Sequence, residues 1–131
     1  MDRNESRVSR IKQAQKESLF FKEISDLLMR IKSDDSRLTR LVLSRVRLSP
    51  DKKNLTVFLR TDPADEEDYR QILHVLVLYK PSLRTALARR IAARQTPEIL
   101  FRYDKQFEKQ QRLEAKLEEA RLERVRLEQD Q

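Results

Sequence analysis

Four arginines offer the clearest chemistry in this chain. Arg84, Arg89, Arg90 and Arg94 follow one another at spacings of 5, 1 and 4, which spreads them over one broad side of a helix. Guanidinium forks match phosphate oxygens and stack on bases. No lysine is interleaved among them. The pattern favours an RNA contact over plain solvation, or over pairing with the acids of the preceding helix. Lys80 extends the run upstream. A second rank of RNA-contact candidates lies at the N-terminus, in Arg3, Arg7, Arg10 and Lys12, and on a hairpin, in Arg45, Arg47, Lys52 and Lys53. Tyr79 is a candidate for base stacking. Phe101 and Tyr103, at strand spacing, read as core.

Other chemistries lack their residues. The 131 residues include no cysteine and no glycine, so disulfides, thiolate metal sites and cysteine nucleophiles are excluded. Average usage of about 7% would have supplied about nine glycines. Their absence removes the P-loop, the dinucleotide fingerprint and the GxxG loop that clamps RNA backbone. His74 is the single histidine. Its apolar neighbours Leu73 and Val75 place it at the margin of the core, without the nucleophile and orienting carboxylate that catalysis needs. One histidine is also too few for a metal site of that kind. Asp62, Asp65, Glu66, Glu67 and Asp68 are better explained as a helix start than as a Mg²⁺ site. The sequence predicts no catalytic residue, metal or cofactor.

The cations need a scaffold. From about Ser6 to Lys32, Ile11, Ala14 and Ser18, then Phe20, Ile24, Leu27, Leu28 and Ile31, recur at helical steps. Ser33-Asp34-Asp35-Ser36 breaks the pattern. Leu41 to Leu48 reads as a strand, with Val42, Ser44, Val46 and Leu48 on one face and Leu41, Leu43, Arg45 and Arg47 on the other. A turn over 49–54 leads to a second strand, where Leu55, Val57 and Leu59 alternate with Thr56, Phe58 and Arg60. The pair makes a hairpin covering the first helix. Asp62 is the expected N-cap of the next helix, with Pro63 at its first position. That helix runs to about Tyr79, where Pro81 stops or kinks it. Leu83, Leu87 and Ile91 mark a third helix, and Ile99, Phe101 and Tyr103 a third strand. Residues 1–104 thus read as one α+β domain, helix–strand–strand–helix–helix–strand. Residues 105–131 read as a charged helical extension with a frayed end, in which Phe107, Leu113 and Leu117 are expected to pack back on the sheet.

Charge is segregated. Residues 1–103 carry 22 bases against 14 acids, a net of +8, whereas residues 104–131 carry 7 against 8. Residues 37–60 hold seven bases and one acid, residues 81–103 five and one, and residues 61–70 one base and five acids. Such segregation gives one surface a positive potential and points to a polyanion. The opening MDRNESRVSR is polar, so no signal peptide is expected. The longest apolar stretch, 72–78, is interrupted by His74 and far too short for a bilayer. The expectation is a soluble, cytoplasmic protein with no membrane or small-molecule partner.

The element order is a KH-like arrangement of type II, a three-stranded sheet packed against helices. Within it the chain resembles the ribosome-binding factor A family over about residues 6–119. The resemblance rests on Arg7-Val8 opening a basic helix and on Leu48-Ser49-Pro50-Asp51 at the hairpin turn. It rests further on Leu83-Arg84 with Leu87, on Pro97-Glu98-Ile99 leading to Phe101-Arg102-Tyr103-Asp104, and on Arg112-Leu113 with Leu117. It implies a non-enzymatic, monomeric assembly factor that binds the immature small ribosomal subunit through 16S rRNA. Such a factor supports late rRNA maturation, is associated with growth in the cold and leaves before translation. The family has an Ala-x-Gly kink between its second and third helices; here Tyr79-Lys80-Pro81 stands in that place. The rival class is a protein-interaction or dimerisation module using the C-terminal helix, its basicity incidental.

Overall fold

The computed structural model describes residues 3–91 and 94–130. Helix α1 spans Arg3–Asp34. It stops where Asp35 turns extended and accepts the Arg37 N–H, capping a 3-10 turn over Ser36–Leu38. Strands β1 (Leu41–Leu48) and β2 (Asn54–Thr61) pair antiparallel, and β3 (Glu98–Tyr103) joins β2 in parallel, giving the order β1-β2-β3. Between β2 and β3 the chain forms helix α2 (Glu66–Leu76), a 3-10 turn (Val77–Tyr79) and helix α3 (Lys80–Arg90). Helix α4 (Lys105–Gln129) follows β3. The α+β order expected of the sequence is therefore present.

The core lies between one sheet face and helices α1 to α3. Phe20, Ile24, Leu27 and Leu28 of α1 meet Leu55, Val57 and Leu59 of β2, together with Leu76, Leu83, Leu87 and Ile99. Burying one such side chain contributes about 1.5–3 kcal/mol. The apolar stripe of α1 does not serve the core throughout. Val8 and Ile11 are about half exposed. Length explains this: a helix of 32 residues runs about 48 Å, whereas an eight-residue strand spans about 26 Å. In the overhanging half, Gln13 donates to the Leu48 carbonyl (2.8 Å) and Glu17 accepts the Leu48 N–H (3.0 Å).

Strand β1 departs from simple alternation. The register jumps between Leu43, opposite Leu59, and Arg45, opposite Phe58, so Ser44 is an extra residue in a bulge. A bulge reverses parity. Leu41 and Leu48 are therefore both buried, where strict alternation puts them on opposite faces. Arg45 and Arg47 stay on the outer face, over Phe58.

Helix α2 begins later than expected. Asp65, not Asp62, is the N-cap and accepts the N–H groups of Glu67 (2.9 Å) and Asp68 (3.3 Å). Thr61 holds residues 62–65 in a separate turn, its hydroxyl donating to Pro63 or Asp65 carbonyls and accepting the Asp65 N–H. The bend between α2 and α3 is made by the 3-10 turn and by Tyr79 (φ −88°, ψ −6°). Lys80 is helical (φ −56°, ψ −46°). Pro81 lies in the first turn of α3, where its missing N–H costs nothing, so it does not push Lys80 out of helical geometry.

Two further expectations are corrected. His74 is exposed rather than at the core margin, because it lies on the solvent side of α2. Helix α4 contributes no buried residue, and Leu113 and Leu117 are about 60% exposed. The first turn of α4 reaches the domain, where the Arg60 guanidinium lies 4.2 Å from the Phe107 ring centroid and the Lys105 ammonium 3.8 Å from Glu66.

Candidate nucleic-acid interface

The α3 cluster divides. Arg90 is a quarter exposed and bridges to Glu23 (3.0 Å) and Asp26 on α1. Its guanidinium holds the Asp26 carboxyl below the usual range. Arg84 pairs with Glu98 (3.1 Å) and donates to the Thr96 carbonyl (3.2 Å), tying α3 to the start of β3. Pairing with acids thus occurs for both, though the acids belong to α1 and β3, not α2. Arg89 differs. It is exposed beside Pro81, Ser82, Thr85 and Ala86, and no ion pair or hydrogen bond engages it among the described residues. Arg94 is exposed on the segment after α3. Lys80 is half-buried, its ammonium 5.9 Å from the Phe101 ring.

Tyr79 is fixed by its hydroxyl, which donates to Asp35 (2.6 Å). The same carboxylate takes a two-pronged contact from Arg37, at 2.9 and 2.7 Å. Arg37 first, then Tyr79, hold the Asp35 carboxyl well below the ordinary range, against the opposing effect of burial. Asp35 in turn pushes the Tyr79 phenol up. Tyr79 therefore locks the bend to the end of α1.

A second cationic surface is the outer sheet face. The register places Arg45, Phe58 and Arg102 in one row across β1, β2 and β3. Arg45 lies 3.8 Å and Arg47 5.6 Å from the Phe58 centroid. Such stacking shields an aromatic ring that would otherwise face water. Arg45 also reaches Asp104 (3.4 Å).

Sequence reasoning missed Asp104. It is buried, accepts from the Ser44 hydroxyl (2.5 Å) and caps α4 through the Phe107 N–H (3.1 Å). Burial opposes its ionisation, yet Ser44, Phe107 and Arg45 together bring its carboxyl below the usual value. The bulge at Ser44 exists only in the paired sheet, so no local signal marked the partner.

A third surface lies where α1 meets the hairpin turn. Arg7 and Arg10 are exposed on the overhang of α1, Arg10 donating to the Ser6 carbonyl (3.4 Å). The Arg3 side chain lies outside the described residues. Lys52 and Lys53 are exposed in the turn. Lys16, which sequence reasoning did not single out, stands beside Lys52. That neighbour first, then burial and Lys12, hold the Lys16 ammonium below its ordinary value. The Lys12–Lys16 spacing was legible as one helix face; the approach of Lys52 needed the fold.

No group of three or more His, Asp or Glu side chains that could hold a metal ion occurs among the described residues. No helix among them is long and apolar enough to cross a membrane.

Residues 12–117 match the family model of ribosome-binding factor A. A ribosome-binding factor A of Dictyoglomus thermophilum is 31% identical over 114 residues, covering 87% of this chain and 94% of that protein. One from Rhodopseudomonas palustris is 36% identical over 74 residues, 56% of this chain but only 53% of that longer protein. The crystal structure of ribosome-binding factor A from Thermus thermophilus superposes with a TM-score of 0.60 at 28% identity, covering 70% of this chain and 94% of that one. A homology model of the Thermus thermophilus factor, fitted into the cryo-EM map of a 30S–RbfA complex, gives 0.54 at 29% identity, covering 66% and 89%. A family match over residues 12–117, together with the shared fold, shows that this KH-like α+β chain belongs to the ribosome-binding factor A family.

Proposed function

We propose that this protein binds the immature small ribosomal subunit through its 16S rRNA and supports late maturation of that rRNA. It acts in the cytoplasm as a monomer and dissociates before translation begins. Its role in growth belongs to the cold, and no catalytic step is assigned to it. Family membership and the similarity to a factor fitted into a 30S complex support this reading. Residues 1–104 form the binding domain in it, and 105–131 an extension.

The observation that carries the reading is where cations remain uncompensated. On α4, Arg112, Arg121 and Arg124 pair with Glu108, Glu118 and Glu128 of the same helix, and Lys109, Lys116 and Arg126, which have no acid partner among the described residues, stand in a tail of 7 bases and 8 acids. On the domain, Arg89, Arg94, Lys52 and the neighbouring Lys16 have no acid partner among the described residues. The mechanism is electrostatic docking followed by shape recognition of folded rRNA. Sucrose-gradient sedimentation of a tagged protein tests it. The expected result is co-migration with precursor small subunits and not with translating ribosomes. Migration at the top of the gradient at low salt would overturn the reading.

A further inference from the structure

The surface between α1, the hairpin turn and the segment after α3 is built against its own electrostatics. It is a groove of about 550 Å³, walled by Lys16, Leu19, Leu48, Lys52, Arg94 and Pro97. Lys16 and Lys52 line the same groove, where Lys52 first, then burial and Lys12, hold the Lys16 ammonium below its ordinary value. Like charges on flexible, exposed side chains ordinarily move apart, because they repel and have other rotamers open to them.

The backbone adds a second cost at the same point. Lys52 has φ +62° and is the only non-glycine residue with positive φ among those described. Left-handed geometry is unfavourable for a side chain with a Cβ, and asparagine or glycine is the usual choice. The turn is held there firmly. Lys52 N–H donates to the Ser49 carbonyl (2.9 Å), and Ser49 N–H to the Asn54 carbonyl (2.9 Å). The Ser49 hydroxyl accepts the Asn54 N–H (3.0 Å). Asp51, the acid in the groove wall, is occupied by the Ser49 hydroxyl (2.5 Å) and the Lys53 N–H (3.0 Å). Strain that the surroundings over-determine is a pointer to a binding role.

We infer that this groove is a phosphate seat for single-stranded RNA, with Lys16 and Lys52 gripping one phosphodiester and Arg94 facing them. The adjoining nucleoside lies on Leu19, which covers the buried Leu48 and Pro97 beneath it. Leu19 is nearly half exposed, so this aliphatic floor is open to it. A phosphate between the two ammonium groups converts their repulsion into shared attraction. A nucleotide is charged on one side and flat and weakly polar on the other, which matches a cationic rim over an aliphatic floor. An acidic peptide would leave that floor bare. The seat lies at the middle of α1. The α2–α3 bend, tied to Asp35, lies at the C-terminal end of that helix. The inference deepens the rRNA-binding reading and rests on it for its choice of partner.

Lys52→Asn tests it, because asparagine suits the left-handed position while removing the charge. The probe is an oligouridylate octamer, titrated into the full-length chain and followed through leucine methyl resonances. Expected are shifts at Leu19 and Leu48 and a several-fold loss of affinity in Lys52→Asn, with a melting temperature equal to or above wild type. The log–log salt slope should fall by about 0.7, the value for one phosphate contact on a single strand. Lys109→Asn on α4 makes the same change in net charge and should bind as wild type. Silent methyls, equal loss in the two variants, or equal displacement by a polyglutamate peptide would overturn the inference. The same proteins sedimented with precursor subunits separate the two readings. Subunit binding with a silent groove sinks only the seat. Octamer binding without subunit binding sinks only the subunit reading.

Discussion

Arg89 and Arg90 are neighbours in sequence with opposite situations. Arg90 is spent on Glu23 and Asp26, and Arg89 has no ion pair or hydrogen bond among the described residues. Arg89→Glu is expected to weaken subunit binding with native circular dichroism and an unchanged melting temperature. Arg90→Glu places a third carboxylate among two and should lower the melting temperature first, with binding lost as a consequence. Equal effects on stability would show that the division of the cluster is incorrect. Asp104 gives a pH prediction. Its native pKa is depressed, so its contribution to stability is present above the unfolded value of about 3.9. That contribution is lost as pH falls through the lower native value. Asp104→Asn should flatten this acid limb of the stability curve. It should also cost about 1 kcal/mol near neutrality, as loss of a helix cap does, measured by urea denaturation at pH 3 and pH 7. The residue types alone identified the arginines, but not which were already paired. Pairing partners such as Glu23 with Arg90 stand 67 residues apart, and only the packing of α1 on α3 brings them together.

Helix α4 is the element on which sequence reasoning and structure differ most. Leu113 and Leu117 sit four residues apart like a docking stripe, yet both face water. The helix is held instead by its first turn, through the Asp104 cap and the Arg60–Phe107 stack. Truncation after Gln111 should therefore leave the melting transition in place while removing a large share of the helical signal. Truncation after Asp104 should lower the transition, because it takes Phe107 from Arg60. A drop of the same size in both variants would place the leucines in contact with the domain. The strands were more legible than the helix ends. β1 at 41–48 matches the reading, because alternation and the flanking turn signals agree. The bulge at Ser44 was not legible, since an extra residue leaves the alternating pattern of side-chain types intact. The start of α2 was misplaced by three residues. Asp62 and Asp65 are equally good caps by type, and the Thr61 hydroxyl decides between them.

For the whole molecule, charge asymmetry is the property that sequence conveyed most directly, since it needs only addition along the chain. The family was legible too, through motifs at the hairpin turn and the Phe101–Asp104 corner that the fold makes neighbours of β2 and β1. The clustering of Lys12, Lys16 and Lys52 was not, because the hairpin had to fold onto α1 first. If domain charge drives docking, raising salt from about 50 to 200 mM should release the protein from precursor subunits by orders of magnitude, as several phosphate contacts are screened together. Salt-independent sedimentation would instead mean that shape and apolar contact dominate.

The contacts of Gln13 and Glu17 with Leu48 have one more consequence. β1 is an edge strand, and an edge offers free amide groups to any other extended chain. At its last residue both the N–H and the carbonyl are already taken, by side chains from a helix that overhangs the sheet. The overhang therefore blunts this end of the rim, leaving Leu48 no amide group to offer an incoming strand.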